Sequence, residues 1–250
     1  MRTMKCAVMT MLLIMVSALV GAREYTLPVS GSAAVSFLEG SAVLVVGDET
    51  SPLEVNHLVE APATVRVGPE SRMELTLADK SVLRFSAGTE FTLISADYAD
   101  RKRKVDVDVA LGDCWAKVQG LLGEESTFLV NSPTAVAGVA GTVYRLRVNL
   151  DLFSNYFVYD GEIEVGYRPV SPSVGSSPSE SQPTRVQGPT RVPGPHEVSL
   201  EEWLVIVAKG YQFSIAPDGS YAPPKPFDTQ KDKEDPWVAW NLERDTALRF

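Results

Sequence analysis

The chain has few of the residues on which most enzymes and metal sites depend. Among its 250 residues there are two cysteines and two histidines. Cys6 lies in an N-terminal apolar run, so Cys114 is the one cysteine of the remaining chain and an intrachain disulfide is excluded there. His57 lies in a polar stretch, and His196 lies in a proline-rich one that offers no rigid scaffold for proton transfer. We therefore expect no catalytic residue, no cofactor and no metal, and a fold that relies on its core.

Three patterns could still carry chemistry, and each is incomplete. Cys114 and His57 have the residue types of a nucleophile and its base, but nothing in the sequence brings them together. Asp106 and Asp108 alternate in a strand and lack the further oxygen ligands that calcium requires. Residues 138–142 resemble a phosphate-binding loop without its lysine. We interpret Cys114 as a small buried thiol, with a covalent dimer through it as the alternative.

The chain lacks an excess of positive charge. Its formal net charge is −9, and removing residues 1–22, which contain Arg2 and Lys5 but no acid, makes it more negative by two. Binding to nucleic acid depends on clustered cations, so we predict no nucleic-acid partner. The one basic run, residues 101–104, is interpreted as a solvated turn.

Long hydrophobic runs are confined to the N-terminus. Residues 6–22 form a mostly apolar run that follows Arg2 and Lys5 and ends in Val20-Gly21-Ala22, the layout of a secretory signal peptide cleaved after Ala22. The run is at the short limit for crossing a bilayer, so an uncleaved anchor remains open. We expect the rest of the chain to be periplasmic or extracellular, with membrane contact through that N-terminal segment alone.

Short β-like runs are abundant between residues 36 and 165. They recur about every ten residues between turn residues, which predicts an all-β domain over residues 23–168. Met73, Leu75 and Leu77 alternate with Glu74 and Thr76, which indicates one core face and one solvent face. The predicted strands are 42–46, 64–67, 73–77, 82–85, 91–94, 105–111, 127–130, 135–148, 156–159 and 162–167.

The chain is organised around residues 127–148, TFLVNSPTAVAGVAGTVYRLRV. We predict a strand, a corner at Ser132-Pro133, and a strand of small residues that allows close layering. The last strand alternates apolar residues with Arg145 and Arg147, so those arginines should face water. Further along, Asp160-Gly161 predicts a hairpin, or alternatively a corner. The residues expected to matter structurally are Pro133, Gly138, Gly141, Thr142 and Gly161.

This stretch resembles the FecR domain of bacterial envelope proteins. The resemblance rests on the Asn-Ser-Pro corner and on Gly141-Thr142 before an alternating strand, and it extends to residues 79–83 and 159–165, covering residues 35–168. The family usually carries an arginine before the Gly-Thr pair, where this chain has Ala140. The resemblance implies an elongated all-β fold, either solenoid-like or a flattened β-sandwich.

The C-terminal part changes composition. Residues 169–197 are rich in proline, serine and glycine, which predicts a flexible linker. Residues 198–222 should form a short helix and a strand. For residues 198–209 a capping box favours a helix, whereas Val205-Ile206-Val207 favours a strand; we expect the helix, followed by a strand at 211–215 and a turn at Pro217-Asp218-Gly219.

Residues 223–250 combine prolines and charges with Trp237 and Trp240. This tail resembles the ending of other exported FecR-domain proteins. Its aromatic side chains should pack back on the β-domain, because burial of an indole is favourable wherever apolar surface is within reach. Docking on a partner is the alternative.

The resemblance also bears on function. FecR-type sigma regulators carry a cytoplasmic domain before their membrane span, and a handful of residues precede the apolar run here, so we expect no sigma-regulator domain. The expected function is an exported, non-enzymatic protein-binding or signal-relay module of the cell envelope. The alternative is a structural or glycan-binding envelope protein. The partner is accordingly an envelope protein or a glycan.

Overall fold

The computed structural model describes residues 28–100, 102–120, 123, 125–168 and 204–247. The predicted signal peptide and the predicted linker, residues 169–197, lie outside these ranges. Neither helix of the described part is long and apolar enough to cross a membrane.

The all-β prediction is confirmed, with strands and short helices at the C-terminus. The elements are β1 (Ser32–Glu39), β2 (Ala42–Val46), β3 (Glu49–Pro52), β4 (Leu58–Glu60), β5 (Ala63–Val67), β6 (Arg72–Thr76), β7 (Val82–Phe85), β8 (Glu90–Ala99), β9 (Lys102–Lys117), β10 (Thr127–Asn131), β11 (Ala135–Val139), β12 (Val143–Val148), β13 (Ser154–Asp160), β14 (Glu162–Tyr167), β15 (Leu204–Ala208), β16 (Tyr211–Ile215), β17 (Lys225–Pro226), α1 (Thr229–Asp232) and α2 (Pro236–Ala247).

The strands form two open sheets that share β9. Sheet A has the order β4-β1-β6-β7-β9-β12-β13-β16-β17. Sheet B has the order β3-β2-β5-β8-β9-β10-β11-β14-β15. The described strand pairs are antiparallel except β9 with β10. A solenoid stacks successive rungs in parallel, so the solenoid alternative was wrong and the flattened sandwich describes the fold.

The shared strand β9 changes sheet at Gly112. Residues up to Leu111 pair with β8 in sheet B, whereas residues from Gly112 onward pair with β12 in sheet A. Gly112 has φ 100°, and a Cβ atom there would lie 2.7 Å from the Cα atom of Thr89. Both the positive φ and the close approach require glycine, so the crossing is specified by this residue.

The core lies between the two sheets. Val105, Val107 and Val109, which alternate with Asp106 and Asp108 along β9, are buried. Phe85 of sheet A and Phe91 of sheet B stack with ring centroids 3.6 Å apart. Buried side chains of both sheets form one hydrophobic cluster, which is the apolar area whose burial stabilises the fold.

The central stretch folds as predicted at its corner. β10 and β11 pair as a hairpin, and the Ser132 hydroxyl accepts hydrogen bonds from the backbone N–H groups of Thr134 and Ala135 at 3.3 and 3.0 Å. The Thr142 hydroxyl donates to the Glu162 carbonyl at 2.7 Å. These side-chain hydrogen bonds satisfy backbone groups that have no strand partner at the turns.

One local prediction was wrong, and another was decided in favour of its alternative. Asp160-Gly161 forms the alternative corner and not a hairpin, because β13 lies in sheet A and β14 in sheet B. In the segment predicted as a helix, the described residues Leu204–Ala208 form the strand β15. β15 pairs with β14 over its whole length, as the β-branched residues Val205, Ile206 and Val207 favour. The strand at 211–215 and the turn at residues 217–219 are present.

Gly112→Ala should destabilise the protein strongly. The substitution adds left-handed backbone strain of about 1–2 kcal/mol and overpacking of about 1–3 kcal/mol. Gly210→Ala is the matched control, because Gly210 has φ 81° but open space around its Cα atom. Urea unfolding should show a clearly larger loss for Gly112→Ala; equal losses would mean that the contact with Thr89 is easily relieved.

Candidate functional site: the charged face beneath the C-terminal helix

The outer face of sheet A carries a row of large polar side chains at paired positions. Glu74 lies opposite Arg84, Arg84 opposite Trp115, and Trp115 opposite Arg145. Side chains at directly paired positions lie side by side on one face. Asp113 and Arg147 form a second pair beside this row. We call these six residues the charged face: Glu74, Arg84, Asp113, Trp115, Arg145 and Arg147.

Much of the charged face is buried, although it points away from the core. Arg84 and Arg145 are at most 1% exposed, and Glu74 is 3% exposed. The prediction that Glu74 and Arg145 face water was therefore wrong. Alternation in a strand identifies the side that avoids the core, but it does not show whether a later segment covers that side. Here the segment containing α1 and α2 covers it.

Asp245 of α2 connects the tail to the middle of the charged face. Its carboxylate accepts hydrogen bonds from Arg84 Nη1 at 2.7 Å and from Trp115 Nε1 at 3.0 Å. Lys117 Nζ donates to the Asp245 backbone carbonyl at 3.1 Å. One aspartate thus joins two strands of sheet A to the helix by charge-assisted bonds, which are the stronger kind.

Glu74 holds the end of α2 through a second arginine. Arg244 donates two hydrogen bonds of 3.1 Å to the Glu74 carboxylate, and Arg84 Nε donates a third at 2.7 Å. The Ser36 hydroxyl donates at 2.7 Å. Burial by itself raises the pKa of Glu74, but the hydrogen bonds from Arg244 and Arg84 outweigh it and hold that pKa below its ordinary value. Glu74 therefore stays ionised.

Arg145 holds the beginning of the tail in the same manner. Its guanidinium donates to Asp113 at 2.8 Å and to Asp235 at 3.2 Å, and Asp232 lies 3.7 Å away. Burial lowers the pKa of Arg145, but Asp113 and its other acidic neighbours raise it above the ordinary value. Arg147, which is half-exposed, shares Asp113 and Asp235. The acids of the tail are thus matched by arginines of β12.

Aromatic side chains complete the contact, and they confirm that the tail packs back on the β-domain. Trp240 packs on Phe37 of β1 with centroids 5.4 Å apart, and Trp237 stacks on Trp240 at 5.3 Å. The Arg244 guanidinium lies 4.4 Å from the Phe37 ring centroid and 5.1 Å from that of Trp240. Such cation–π contacts strengthen when they are removed from water.

The arrangement is suited to holding a short acidic and aromatic helix. Glu74, Arg84 and Arg145 are paired with opposite charges beneath the tail, whereas Asp113 and Arg147 also line an open depression beside Leu150. A buried ion pair roughly offsets its own desolvation cost. The contact is therefore specific in its geometry without being expected to dominate the stability of the fold.

The residues considered from sequence for catalysis lie apart. Cys114 is buried in β9 with its side chain in the core cluster, and burial, followed by the charge of Asp113, raises the pKa of its thiol. Such a thiol is neither a nucleophile at neutral pH nor accessible for a covalent dimer. His57 lies in an exposed turn, where its Nδ1 accepts the backbone N–H of Glu54 at 3.2 Å.

Other charges singled out from sequence are engaged locally. Asp106 accepts a hydrogen bond from Asn131 at 2.7 Å, and Asp108 accepts one from Arg168 at 2.9 Å, as expected of a polar strand face. Within the described residues no group of three or more potential ligands could hold a metal ion. The basic run is not a solvated turn throughout, because Arg103 is buried in β9 and paired with Asp79.

A comparison with known protein families supports the resemblance. Residues 63–164 match the family described as FecR protein. No curated protein matches this chain. Two crystal structures of a candidate anti-sigma factor from Parabacteroides distasonis ATCC 8503 are similar in structure, at 17% and 18% identity and TM-scores of 0.46 and 0.45. Each match covers 68% of this chain and 62% of the other, so this chain spans about three fifths of that protein's length.

Arg84→Met should destabilise the protein by about 3 kcal/mol, because removing one partner of a buried ion pair leaves the other charge uncompensated. The matched control is Arg66→Met. Arg66 pairs with Glu90 at 2.6 Å, but its side chain is 54% exposed, so its loss should cost less than about 1 kcal/mol. Chemical denaturation measures both; similar losses would show that the charged face is solvated in practice.

The stabilisation from Glu74 should disappear in acid. Its pKa in the folded protein is lower than in the unfolded chain, so the contribution is complete above the unfolded pKa and is lost as the pH falls through the folded pKa. The difference in unfolding free energy between the wild type and Glu74→Gln should therefore shrink as the pH falls below about 4.3, the ordinary pKa of a glutamate in an unfolded chain. Glu54→Gln, at an exposed position, is the control. A difference that stays constant with pH would contradict the assignment.

Proposed function

We propose that this chain, whose residues 63–164 form a FecR domain, is an exported, non-enzymatic module of the bacterial cell envelope that binds a protein and relays a signal. The observation that carries the proposal is the charged face of sheet A, which binds a helix from the same chain through ion pairs. A surface that binds one acidic helix has the chemistry to bind another. Residues 228–247 of the tail are then the element that a partner displaces.

The strength of the contact fits such an exchange. The tail is held by Asp232, Asp235 and Asp245 and by two stacked tryptophans. Most of these bonds can be replaced by equivalent bonds from a partner, because they join side chains and not backbone ladders. Exchange between two similar ion-pair sets costs little free energy, because the partner replaces the bonds that the tail gives up.

A protein partner is favoured over a glycan by the use of the aromatic side chains. Sugar binding would be expected to employ an exposed row of aromatic rings. In the described residues Trp115, Trp237 and Trp240 pack within the tail contact, and the most exposed large apolar residues of the strands are aliphatic, as at Val46 and Ile206.

The charge distribution gives no support for a nucleic-acid partner. The chain is acidic overall. In the basic run, Lys102 pairs with Glu125 and Arg103 pairs with Asp79. Phosphate binding needs cations that are free to displace counterions, and these two are already engaged with acids of the same chain.

Releasing the tail should increase binding to the partner. Asp235→Asn with Asp245→Asn removes the carboxylates that meet Arg145 and Arg84, and hydrogen exchange over residues 228–247 should become faster. Cross-linking in intact envelopes should then recover the partner protein in greater yield than with wild type. Asp48→Asn, in an exposed turn, is the control for loss of a carboxylate.

The outcomes separate the hypotheses. If hydrogen exchange shows that the tail is released but recovery of protein is unchanged, the charged face is not the binding surface. Cosedimentation with purified peptidoglycan provides the second arm. Saturable binding to peptidoglycan that is equal for the wild type and the tail variants would favour the structural or glycan-binding alternative.

A further inference from the structure

Three of the four sheet edges in the described part of the chain are protected against pairing. Unpaired edge strands bind other strands unless they are short or carry charges or proline. β3 begins at Glu49 and ends at Pro52. β4 has three residues, ends at Glu60 and is followed closely by Pro62. β17 has two residues, one of which is Pro226.

The fourth edge, β15, has none of these features. Its sequence LVIVA contains neither charge nor proline. Leu204 is 54% exposed and Ile206 is 60% exposed, which are high values for apolar residues of a strand. Among the described strands, β14 is the one partner of β15 in sheet B. An uncharged and exposed edge in a protein that protects its other edges indicates a contact.

The outward hydrogen-bonding groups of β15 follow from its register. Lys209 donates its backbone N–H to the Gly161 carbonyl at 2.9 Å. In an antiparallel ladder such bonded pairs alternate along the strand, so Val207 and Val205 also bond to β14. The N–H and C=O groups of Leu204, Ile206 and Ala208 therefore point away from sheet B. They form a template for one more strand.

We propose that β15 pairs with β15 of a second copy, antiparallel and about a twofold axis at Ile206. In this register Ile206 lies beside its own counterpart, and Leu204 lies beside Ala208 of the other copy. Every outward N–H then meets an outward carbonyl. The paired contact is the same from both sides, as a twofold interface requires.

A second copy fits this edge because β15 is apolar on both faces. Leu204 and Ile206 point to the outer face, and Val205 and Val207 point to the core side of sheet B. A partner strand with alternating charges would place charged side chains beside the apolar side chains of β15. A second β15 places only aliphatic side chains beside them, and no two like charges meet across the pair.

The first test is the mass of the purified full chain in solution. Light scattering should give twice the mass of the single chain, which is 27.2 kDa. Ile206→Lys should return the mass to that of one chain, because it places two positive charges side by side at the axis. Val46→Lys is the matched control: Val46 is 67% exposed at the end of β2 in the same sheet, and the dimer should persist.

The second test fixes the register. In the proposed pair the two Ile206 Cα atoms are about 5.5 Å apart, which lies within the range that a disulfide spans. Ile206→Cys should therefore form a covalent dimer on mild oxidation, and Val46→Cys should not. Both variants carry Cys6→Ser, because Cys6 could otherwise form a disulfide in the full chain. The native Cys114 is buried and will not compete.

Each alternative gives a result that overturns the proposal. A mass of one chain at all concentrations would show that β15 is covered within the chain or remains free. A mass above one chain that depends on an added protein would assign the edge to another partner. A dimer that survives Ile206→Lys, or that fails to form the disulfide at residue 206, would place the contact elsewhere.

Discussion

The crossing of β9 at Gly112 is the constraint on which the rest of the structure depends. The first part of β9 pairs in sheet B and the second part in sheet A, so one strand fixes the position of both sheets. Beyond the crossing, Cys114 and Ala116 are buried in the core, while Asp113 and Trp115 bond to groups on the outer face. The crossing therefore positions the core and the charged face together.

The charged face shows why the C-terminal tail is part of the fold. Glu74, Arg84 and Arg145 are buried, and an isolated buried charge is costly. The tail supplies Arg244 against Glu74 and Asp245 against Arg84, so each charge finds its opposite. Because an ion pair offsets its own desolvation and gives little more, these contacts determine where the tail lies more than how stable the protein is.

The sequence predicted those features that depend on neighbouring residues. Strand positions, the buried valines of β9 and the Ser132-Pro133 corner follow from local alternation and turn chemistry. Burial of Glu74 and Arg145 depends on residues about 90 to 170 positions away, and alternation carries no such information. Residues 204–208, which the sequence assigned to a helix, likewise pair with a distant strand, β14. The acids and tryptophans of the tail were a signal that something basic and apolar lay beneath it.

The segment from Leu204 to Ala247 connects the two surfaces. Its first strand, β15, completes sheet B beside β14; its second, β16, joins sheet A beside β13. The turn at Lys209 and Gly210 links them. The backbone N–H groups of these two residues donate to the carbonyls of Gly161 and Val158. The same segment then continues through β17 to α1 and α2 on the charged face. One short segment therefore joins three parts of the fold: the edge strand β15, the Asp160-Gly161 corner and the charged face.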